Sequence, residues 1–311
     1  MIFNLKTLAA VAISISQVSA VSSLGFALGN KNVDGTCKYL ADYEADLDTI
    51  RGGSEAVAIR AYSAEDCNTL QYLGPAVEEK GFKLVLSVRP LDESYYQAEK
   101  NALSEYLPQL SVSTLQFLSV GSEALYRDDL PASDLADKIR DMKEFLAGLT
   151  DKNGDSYSSV PVGTIDSWNV LVDASAAPAI EASDAVYANA FSYWQGQGPS
   201  NSTYSFFDDI MQALQVIQTI KGSTDIDFWV GETGWPTDGD NFGDAVPSIE
   251  NADNFWKEAI CGIRGWGINT FVFQAFDEDW KEEDDAVENH FGVWDSSRQL
   301  KLDSLGCDFS S

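Results

Sequence analysis

Residues 228–236 of this chain read Phe-Trp-Val-Gly-Glu-Thr-Gly-Trp-Pro (FWVGETGWP). The first three residues are apolar and β-forming, as expected of a strand buried on both faces. Pro236 lacks a backbone N–H, so the strand is expected to end before it. The segment therefore predicts that Glu232 lies at the carboxyl end of a buried strand, close to Trp235. The alternative is that Glu232 is an ordinary surface residue and that Trp235 packs in the core. This segment alone does not distinguish the two interpretations, so the rest of the chain is needed.

Seven further apolar, β-rich segments occur along the chain, and most of them precede a helical pattern. They are expected at 24–28, 56–62, 83–88, 115–120, 160–165, 185–191 and 270–276. Strands that alternate with helices indicate a parallel sheet. Eight repeats in 311 residues predict an α/β fold, a single (β/α)8 TIM barrel. A doubly wound sheet is the alternative, but no Gly-x-Gly-x-x-Gly follows the first strand.

The N-terminal segment has the features of a secretory signal. Residues 1–20 contain one charge, Lys6, an apolar stretch, and the small residues Val18-Ser19-Ala20 for cleavage. The apolar stretch is too short to span a bilayer, and the C-terminus lacks the hydrophobic tail of a lipid-anchor signal. No linker or change of composition marks a second domain. We therefore predict a secreted, extracellular protein without a membrane anchor, in which residues 21–311 form one catalytic domain.

The four cysteines are an even number in a chain expected to be exported, which favours two disulfides. Cys37 and Cys67 follow the first two strands, whose loops should lie side by side, so we predict a Cys37–Cys67 bond. Cys261 would then pair with Cys307. The sequon at 201–203 predicts glycosylation of Asn201, which is expected in a polar loop.

The charge balance limits the partners. The chain has 20 basic and 49 acidic residues and a net charge of −29, so a nucleic-acid partner is not expected. A neutral polysaccharide is compatible with this balance. His290 is the only histidine, and no Cys-x-x-Cys pattern occurs, so we predict neither a metal site nor a cofactor. A monomer is expected.

Two carboxylates are expected at the mouth of the barrel, where the active sites of this fold lie. Glu123 ends the fourth strand and Glu232 ends the seventh. Two converging carboxyl groups are the minimum needed to cleave a glycosidic bond, because one must donate a proton while the other attacks or activates water. Proximity raises one pKa relative to the other, which separates these roles.

Several segments together resemble one known family. They are VGETGWP at 230–236, VGSEALYR at 120–127, GTIDSWN at 163–169 and NAFSYWQ at 189–195. They are similar to segments of the family 17 glycoside hydrolases, the β-1,3-glucanases, and look like those of its yeast cell-wall glucanases and glucanosyltransferases. The similarity extends over essentially the whole mature chain. It implies that Glu232 is the nucleophile and Glu123 the general acid/base, with support from Glu278, Lys281 and Glu288.

Polar and aromatic residues at the other strand ends are candidates for binding substrate. They are Tyr62, Asp166, Trp168, Asn169, Asn189, Tyr193, Trp194 and Trp235. The chain departs from the pattern of related enzymes at two positions. Many sugar-cleaving barrels have asparagine where this chain has Ser122, and some fungal relatives have glutamate in place of Gln274. We therefore assign no catalytic role to Gln274.

The sequence as a whole predicts a retaining enzyme of the fungal cell wall that acts on β-1,3-glucan. Glu123 would protonate the leaving oxygen while Glu232 forms a covalent glycosyl-enzyme, with carboxyl groups about 5–5.5 Å apart. Water as acceptor gives hydrolysis, and a second glucan chain gives transfer. Association with wall glucan or chitin is a further expectation. The alternatives are a non-catalytic glucan-binding wall protein and, last, a metal-dependent hydrolase or deacetylase, for which ligands are lacking.

Overall fold

Eight parallel strands form the centre of the computed structural model, which describes residues 22–281 and 287–309. They close into a barrel in chain order, with the last strand paired to the first. The strands are β1 (Leu24–Ala27), β2 (Ala58–Ala61), β3 (Lys83–Val88), β4 (Leu115–Ser122), β5 (Val162–Ser167), β6 (Val186–Asn189), β7 (Trp229–Thr233) and β8 (Asn269–Val272). This confirms the predicted (β/α)8 barrel. The predicted signal peptide, residues 1–20, lies outside the described residues.

Helices surround the barrel. Over the described ranges the α-helices are α1 (Leu40–Gly53), α2 (Thr69–Lys80), α3 (Glu93–Tyr106), α4 (Ala132–Ala147), α5 (Trp168–Leu171), α6 (Ala177–Ala182), α7 (Pro199–Lys221), α8 (Ile249–Phe255) and α9 (Cys261–Gly265). A π-helical turn at Trp256–Ile260 joins α8 to α9. Short 3₁₀ turns lie at Asp66–Asn68, Leu107–Gln109, Val112–Thr114, Tyr157–Ser159, Ala174–Ala176 and Glu288–His290.

The strand bounds differ from the predicted ones mainly at their ends. β2 spans Ala58–Ala61 rather than 56–62, and β8 ends at Val272 rather than at residue 276. Conversely, β7 extends to Thr233, because Glu232 is paired with Asn189 in the sheet after a shift of register. The apolar residues of a segment show that it is buried. Where the strand ends depends on which residues of the neighbouring strands are available for backbone hydrogen bonds.

The core has two parts. Most buried apolar residues pack between the barrel and the helices. A smaller cluster fills the inside of the barrel: Ala58, Val85, Phe117, Ile165, Ala185, Tyr187, Trp229 and Phe271. Arg60 and Gly231 follow Ala58 and Trp229 by two residues, so they share the inward face of their strands and form the layer above this cluster. The barrel therefore has an apolar floor beneath a polar layer.

Two disulfides tie loops to the barrel, and they are the two pairs expected from the sequence. Cys37–Cys67 joins the segments after β1 and β2, and Cys261–Cys307 joins α9 to the C-terminal segment. The position of Asn201 corrects one expectation. It is exposed, but it lies in the first turn of α7 rather than in a loop, because Pro199 begins that helix.

Candidate active site

A cleft of about 930 Å³ opens at the carboxyl ends of the strands, and both Glu123 and Glu232 line it. Its walls are formed by residues that follow six of the strands. Prominent among them are Tyr62, Arg89, Tyr126, Trp168, Asn169, Phe191, Trp194, Gln195, Phe273 and Glu288. The two carboxylates named from the sequence are therefore brought into one cleft from different strands.

Glu232 is held by a buried arginine. Its Oε1 lies 2.9 Å from Nη1 of Arg60, a side chain with no exposed surface. The guanidinium also donates to Gly231 O at 2.6 Å and to the Ser122 hydroxyl at 2.9 Å. A buried charge is tolerated when it is paired and hydrogen-bonded in this way. Arg60 thus fixes the orientation of Glu232 and links it to the end of β4.

The glycine before Glu232 makes room for this arrangement. A Cβ atom at residue 231 would lie 2.6 Å from Asn189 Oδ1, 2.5 Å from Ile165 Cγ2 and 3.4 Å from Arg60 Nη1. A side chain here would therefore push against the groups that surround Glu232. Residue 231 must therefore be glycine, because the neighbouring atoms lie too close for a side chain.

Glu123 has an unusual backbone. Its φ of 58° is in the left-handed region, which costs a non-glycine residue about 1–3 kcal/mol. The conformation follows a register shift between β4 and β5, and the Glu123 N–H donates to Ile165 O at 2.9 Å. Asn189 Nδ2 donates to Glu123 Oε1 at 3.0 Å. The strand end is thus bent so that this carboxylate faces the cleft.

Asp166 holds the turn that follows Glu123. Its carboxylate accepts hydrogen bonds from the backbone N–H groups of Leu125, Tyr126 and Ser167, at 2.8, 3.1 and 2.9 Å. Burial raises the pKa of Asp166 to about 6, against the lowering effect of these hydrogen bonds. Asp166 has no exposed surface and does not line the cleft, so a direct role in binding substrate is not supported. It positions the turn instead.

The electrostatics couple the two carboxylates. Burial raises the pKa of Glu232 to about 7, Arg60 opposes this rise, and the negative charge of Glu123 adds to it. As a nucleophile Glu232 must be ionised, which its burial opposes. The buried guanidinium of Arg60 is the main group that favours the ionised form.

The other predicted substrate residues divide into two groups. Tyr62, Trp168, Asn169, Trp194 and Glu288 line the cleft. Glu278 and Lys281 lie in an adjoining groove, where their side chains pair at 2.9 Å, and Lys281 also lies 3.3 Å from Glu288.

Three further residues predicted to bind substrate are buried and do not line the cleft. Asn189 has no exposed surface and contacts Glu123. Tyr193 donates to Asp240 O at 2.5 Å, and Trp235 donates to Val246 O at 3.1 Å. Position at a strand end does not by itself separate these three residues from the ones that line the cleft. Shifts of register at the strand ends decide which side chains face the cleft.

Arg60 is the main residue that the sequence analysis missed. The available signal was a charged residue inside an apolar strand, Ala-Ile-Arg-Ala at 58–61. A buried arginine requires a buried partner, so this pattern predicts an anion nearby. Its contact also explains Ser122, whose hydroxyl accepts from Arg60.

The described residues contain neither a candidate metal site nor a candidate membrane-spanning helix. Across 22–281 and 287–309, no group of three or more His, Cys, Asp or Glu side chains could hold a metal ion. In the same ranges, none of the helices has the length and apolar character needed to cross a membrane.

Comparison with known proteins places the chain in a family. The family model described as "Glycosyl hydrolases family 17" matches residues 24–305. The chain belongs to glycosyl hydrolase family 17. A Saccharomyces cerevisiae member named glucan 1,3-beta-glucosidase is 58% identical over 298 residues, which are 95% of this chain and 94% of that protein. A Candida albicans member, named glucan 1,3-beta-glucosidase BGL2, is 55% identical and covers 99% of this chain and 100% of its own length.

Solved structures share the fold of this chain. A Rhizomucor miehei β-1,3-glucanosyltransferase, an active-site mutant in complex with laminaritriose, superposes with a TM-score of 0.76. It is 26% identical and covers 90% of this chain and 96% of its own. A Cryptomeria japonica pollen β-1,3-glucanase, at 15% identity and a TM-score of 0.68, shares the fold. The barrel fold is thus shared with proteins from a fungus and a plant.

Proposed function

We propose that this chain is a retaining enzyme that cleaves β-1,3-glucan and passes the glycosyl group to water or to a second glucan chain. The observation that carries the proposal is the pairing of Glu232 with buried Arg60 in the same cleft as Glu123. Family membership and the names of the fungal relatives support the choice of substrate.

The reaction has two steps. Glu123 donates a proton to the glycosidic oxygen as the bond to the anomeric carbon breaks, and Glu232 forms a covalent bond to that carbon. Glu123, now ionised, then removes a proton from the acceptor, whose oxygen displaces Glu232. Arg60 holds Glu232 at the required angle, and Asn189 orients Glu123.

The proposal includes transfer of the glycosyl group to a sugar acceptor as well as hydrolysis. The Rhizomucor miehei neighbour, named a β-1,3-glucanosyltransferase, supports it. Trp168 and Trp194 line the cleft, and Trp194 is 39% exposed. An exposed aromatic face can hold a sugar ring and displace water, which favours a sugar acceptor over hydrolysis. Tyr193 supports Trp194 from behind, with ring centroids 4.8 Å apart.

The proposal also covers the secretion, oligomeric state and location of the enzyme. We infer that residues 1–20 direct secretion, that residues 21–311 are the catalytic domain, and that the protein acts as a monomer in the cell wall, in contact with wall glucan or chitin. Asn201 is exposed and so accessible to glycosylation. The names of the fungal relatives support a glucan-rich location.

Product analysis tests the function. The enzyme is incubated with a reduced laminari-oligosaccharide of one length, and the products are sized by mass spectrometry. We expect products both longer and shorter than the substrate, since transfer and cleavage use one intermediate. Glu232→Gln is the control, and its circular dichroism spectrum shows that it is folded. An unchanged substrate with the folded wild-type protein would overturn the proposal, and short products alone would remove transfer from it.

A further inference from the structure

A second groove adjoins the catalytic cleft. It has a volume of about 540 Å³ and shares Tyr62, Arg89 and Phe273 with the cleft, so the two adjoin at these residues. We call it the side groove and define it by Lys31, Gln274, Glu278 and Trp280 together with the three shared residues. It lies over the ends of β8, β1 and β2, across the barrel from Glu123 on the β4 side.

Two buried hydrogen-bond donors in the side groove have no hydrogen-bond partner among residues 22–281 and 287–309. Gln274 is 2% exposed, and its Nε2 makes no hydrogen bond to any described residue. The indole Nε1 of Trp280 is also buried and equally unpaired within that part of the chain. Leaving a buried donor unpaired costs about 1–3 kcal/mol, and native proteins rarely do so without a reason.

The backbone around Gln274 is fixed on both sides. Its N–H donates to Phe291 O at 3.1 Å, and its carbonyl accepts from the Val293 N–H at 3.0 Å. The side chain therefore cannot leave the groove by a small backbone shift. Trp280 is held in turn by Lys31, whose ammonium lies 4.2 Å from the centre of its ring. Both donors are preorganised.

Four of the charged groups that line the side groove form two ion pairs. Glu278 is paired with Lys281, and Arg89 is paired with Asp66. Besides the Lys31 ammonium over the Trp280 ring, a ligand meets a pair of uncharged N–H donors and an aromatic surface. These donors suit a molecule rich in hydroxyl and ether oxygens.

A further cavity of about 390 Å³ adjoins the side groove. Lys31 and Trp280 line both of them, and Arg298 lines the further cavity only. Space is therefore present on both sides of Trp280.

We propose that the side groove binds the glucosyl units of the donor chain that lie beyond the reacting ring, with Gln274 and Trp280 as hydrogen-bond donors to them. This inference rests on the proposed function. The leaving group must lie beside Glu123, which protonates it, so the retained part of the chain extends from Glu232 in the opposite direction. Tyr62, which lines both cavities, marks where the chain passes from one to the other.

Aryl β-laminari-oligosides of one, two and three glucosyl units test the proposal, because the aryl group occupies the acceptor side and every added sugar extends on the donor side. The variants are Trp280→Phe, which keeps the ring but removes the N–H, and Gln274→Met, which keeps the length but removes the donor. We expect the ratio of wild-type to variant kcat/KM to rise with chain length, by about three- to tenfold overall for each lost hydrogen bond.

Trp266→Phe and Gln212→Met are the matched controls, because both residues are exposed and lie outside the cleft and both grooves. Thermal unfolding of each variant separates binding from folding. A ratio that is the same for all three substrates would overturn the side-groove proposal while leaving the proposed function intact. If the wild-type protein turns over none of the three and leaves laminarin unchanged, the proposed function itself fails.

Discussion

One buried cation organises the reactive residues. Arg60 contacts Glu232, the carbonyl of Gly231, the Asn189 amide oxygen and the Ser122 hydroxyl, and so joins β2 to the ends of β4, β6 and β7. Asn189 in turn donates to Glu123. The two carboxylates are therefore connected through only two side chains. Removing Glu123 leaves every contact of Arg60 in place, whereas removing Glu232 takes away the carboxylate that is paired with the buried guanidinium, so the folding of that variant has to be measured.

Azide rescue should distinguish the two carboxylates. In Glu123→Ala, an activated aryl glycoside needs no proton donor, so Glu232 is still glycosylated, and azide, which needs no base, should restore turnover and give a β-glycosyl azide. In Glu232→Ala, azide can take the place of the missing nucleophile and give an α-glycosyl azide. NMR of the isolated products identifies the anomer.

The opposite pattern, α from Glu123→Ala and β from Glu232→Ala, would reverse the assignment. No azide product from either variant, with both shown to be folded by circular dichroism, would contradict the two-step mechanism. The expected separation of about 5–5.5 Å between the carboxyl groups stays a prediction.

At the scale of elements, the turn after β4 departs from regular backbone geometry. Glu123 has a left-handed backbone, and the following N–H groups of Leu125 and Tyr126 are held by the Asp166 carboxylate on β5. An asparagine at 166 would keep the shape but offer one acceptor oxygen in place of two. The turn, and with it the proton donor, would then be positioned less firmly.

Asp166→Asn should therefore lower kcat on laminarin by about 10- to 100-fold, equivalent to roughly 1.4–2.7 kcal/mol, with a smaller change in KM. The loss should be smaller on an activated aryl glycoside, which needs no proton from Glu123. Steady-state kinetics on both substrates measures the difference. Asp173→Asn is the matched control, since Asp173 also accepts from a backbone N–H but lies at an exposed turn. Equal losses on the two substrates would show that Asp166 acts only through stability.

The sequence predicts the elements better than it predicts the site. Eight apolar segments alternating with helices were enough for the barrel, because burial on both faces imposes that composition. Glu123 and Glu232 were predicted because the ends of parallel strands meet at one mouth. Tyr193 and Trp235 are buried behind the cleft wall, and nothing local in the sequence shows that their polar atoms donate to the carbonyl oxygens of Asp240 and Val246. Arg60 was missed because its partners are far away in the chain.

At the scale of the whole molecule, buried carboxyl groups make stability depend on pH. Burial raises the pKa of Asp166 and of Asp209 to about 6, and that of Glu232 to about 7. In the unfolded chain these groups have their ordinary values of 3.8 for aspartate and 4.5 for glutamate. Between about pH 4 and pH 7 each of these three groups is therefore more protonated in the folded chain than in the unfolded chain, so their contribution to stability decreases as pH rises.

We expect the melting temperature to be higher at pH 4.5 than at pH 7.5, measured by calorimetry at constant ionic strength. For Asp166 alone the difference from its ordinary pKa corresponds to roughly 3 kcal/mol. Added salt should recover part of the loss at pH 7.5, because it screens the repulsion within a chain of net charge −29. Asp209→Asn should flatten the profile, since the amide stays neutral. A melting temperature that is constant or rises from pH 4.5 to 7.5 would contradict this.

The closure of the barrel joins β1, which is synthesised early, to β8, which is synthesised late. β8 pairs with β1, and Ser22 and Arg264, which are 242 residues apart, exchange two hydrogen bonds beside that seam. A growing chain cannot complete the barrel until β8 has emerged from the ribosome, and until then it presents two unpaired sheet edges. Yield in a foreign host should therefore depend on chaperones that shield the unfinished barrel, and truncation before β8 should give aggregates rather than a smaller enzyme.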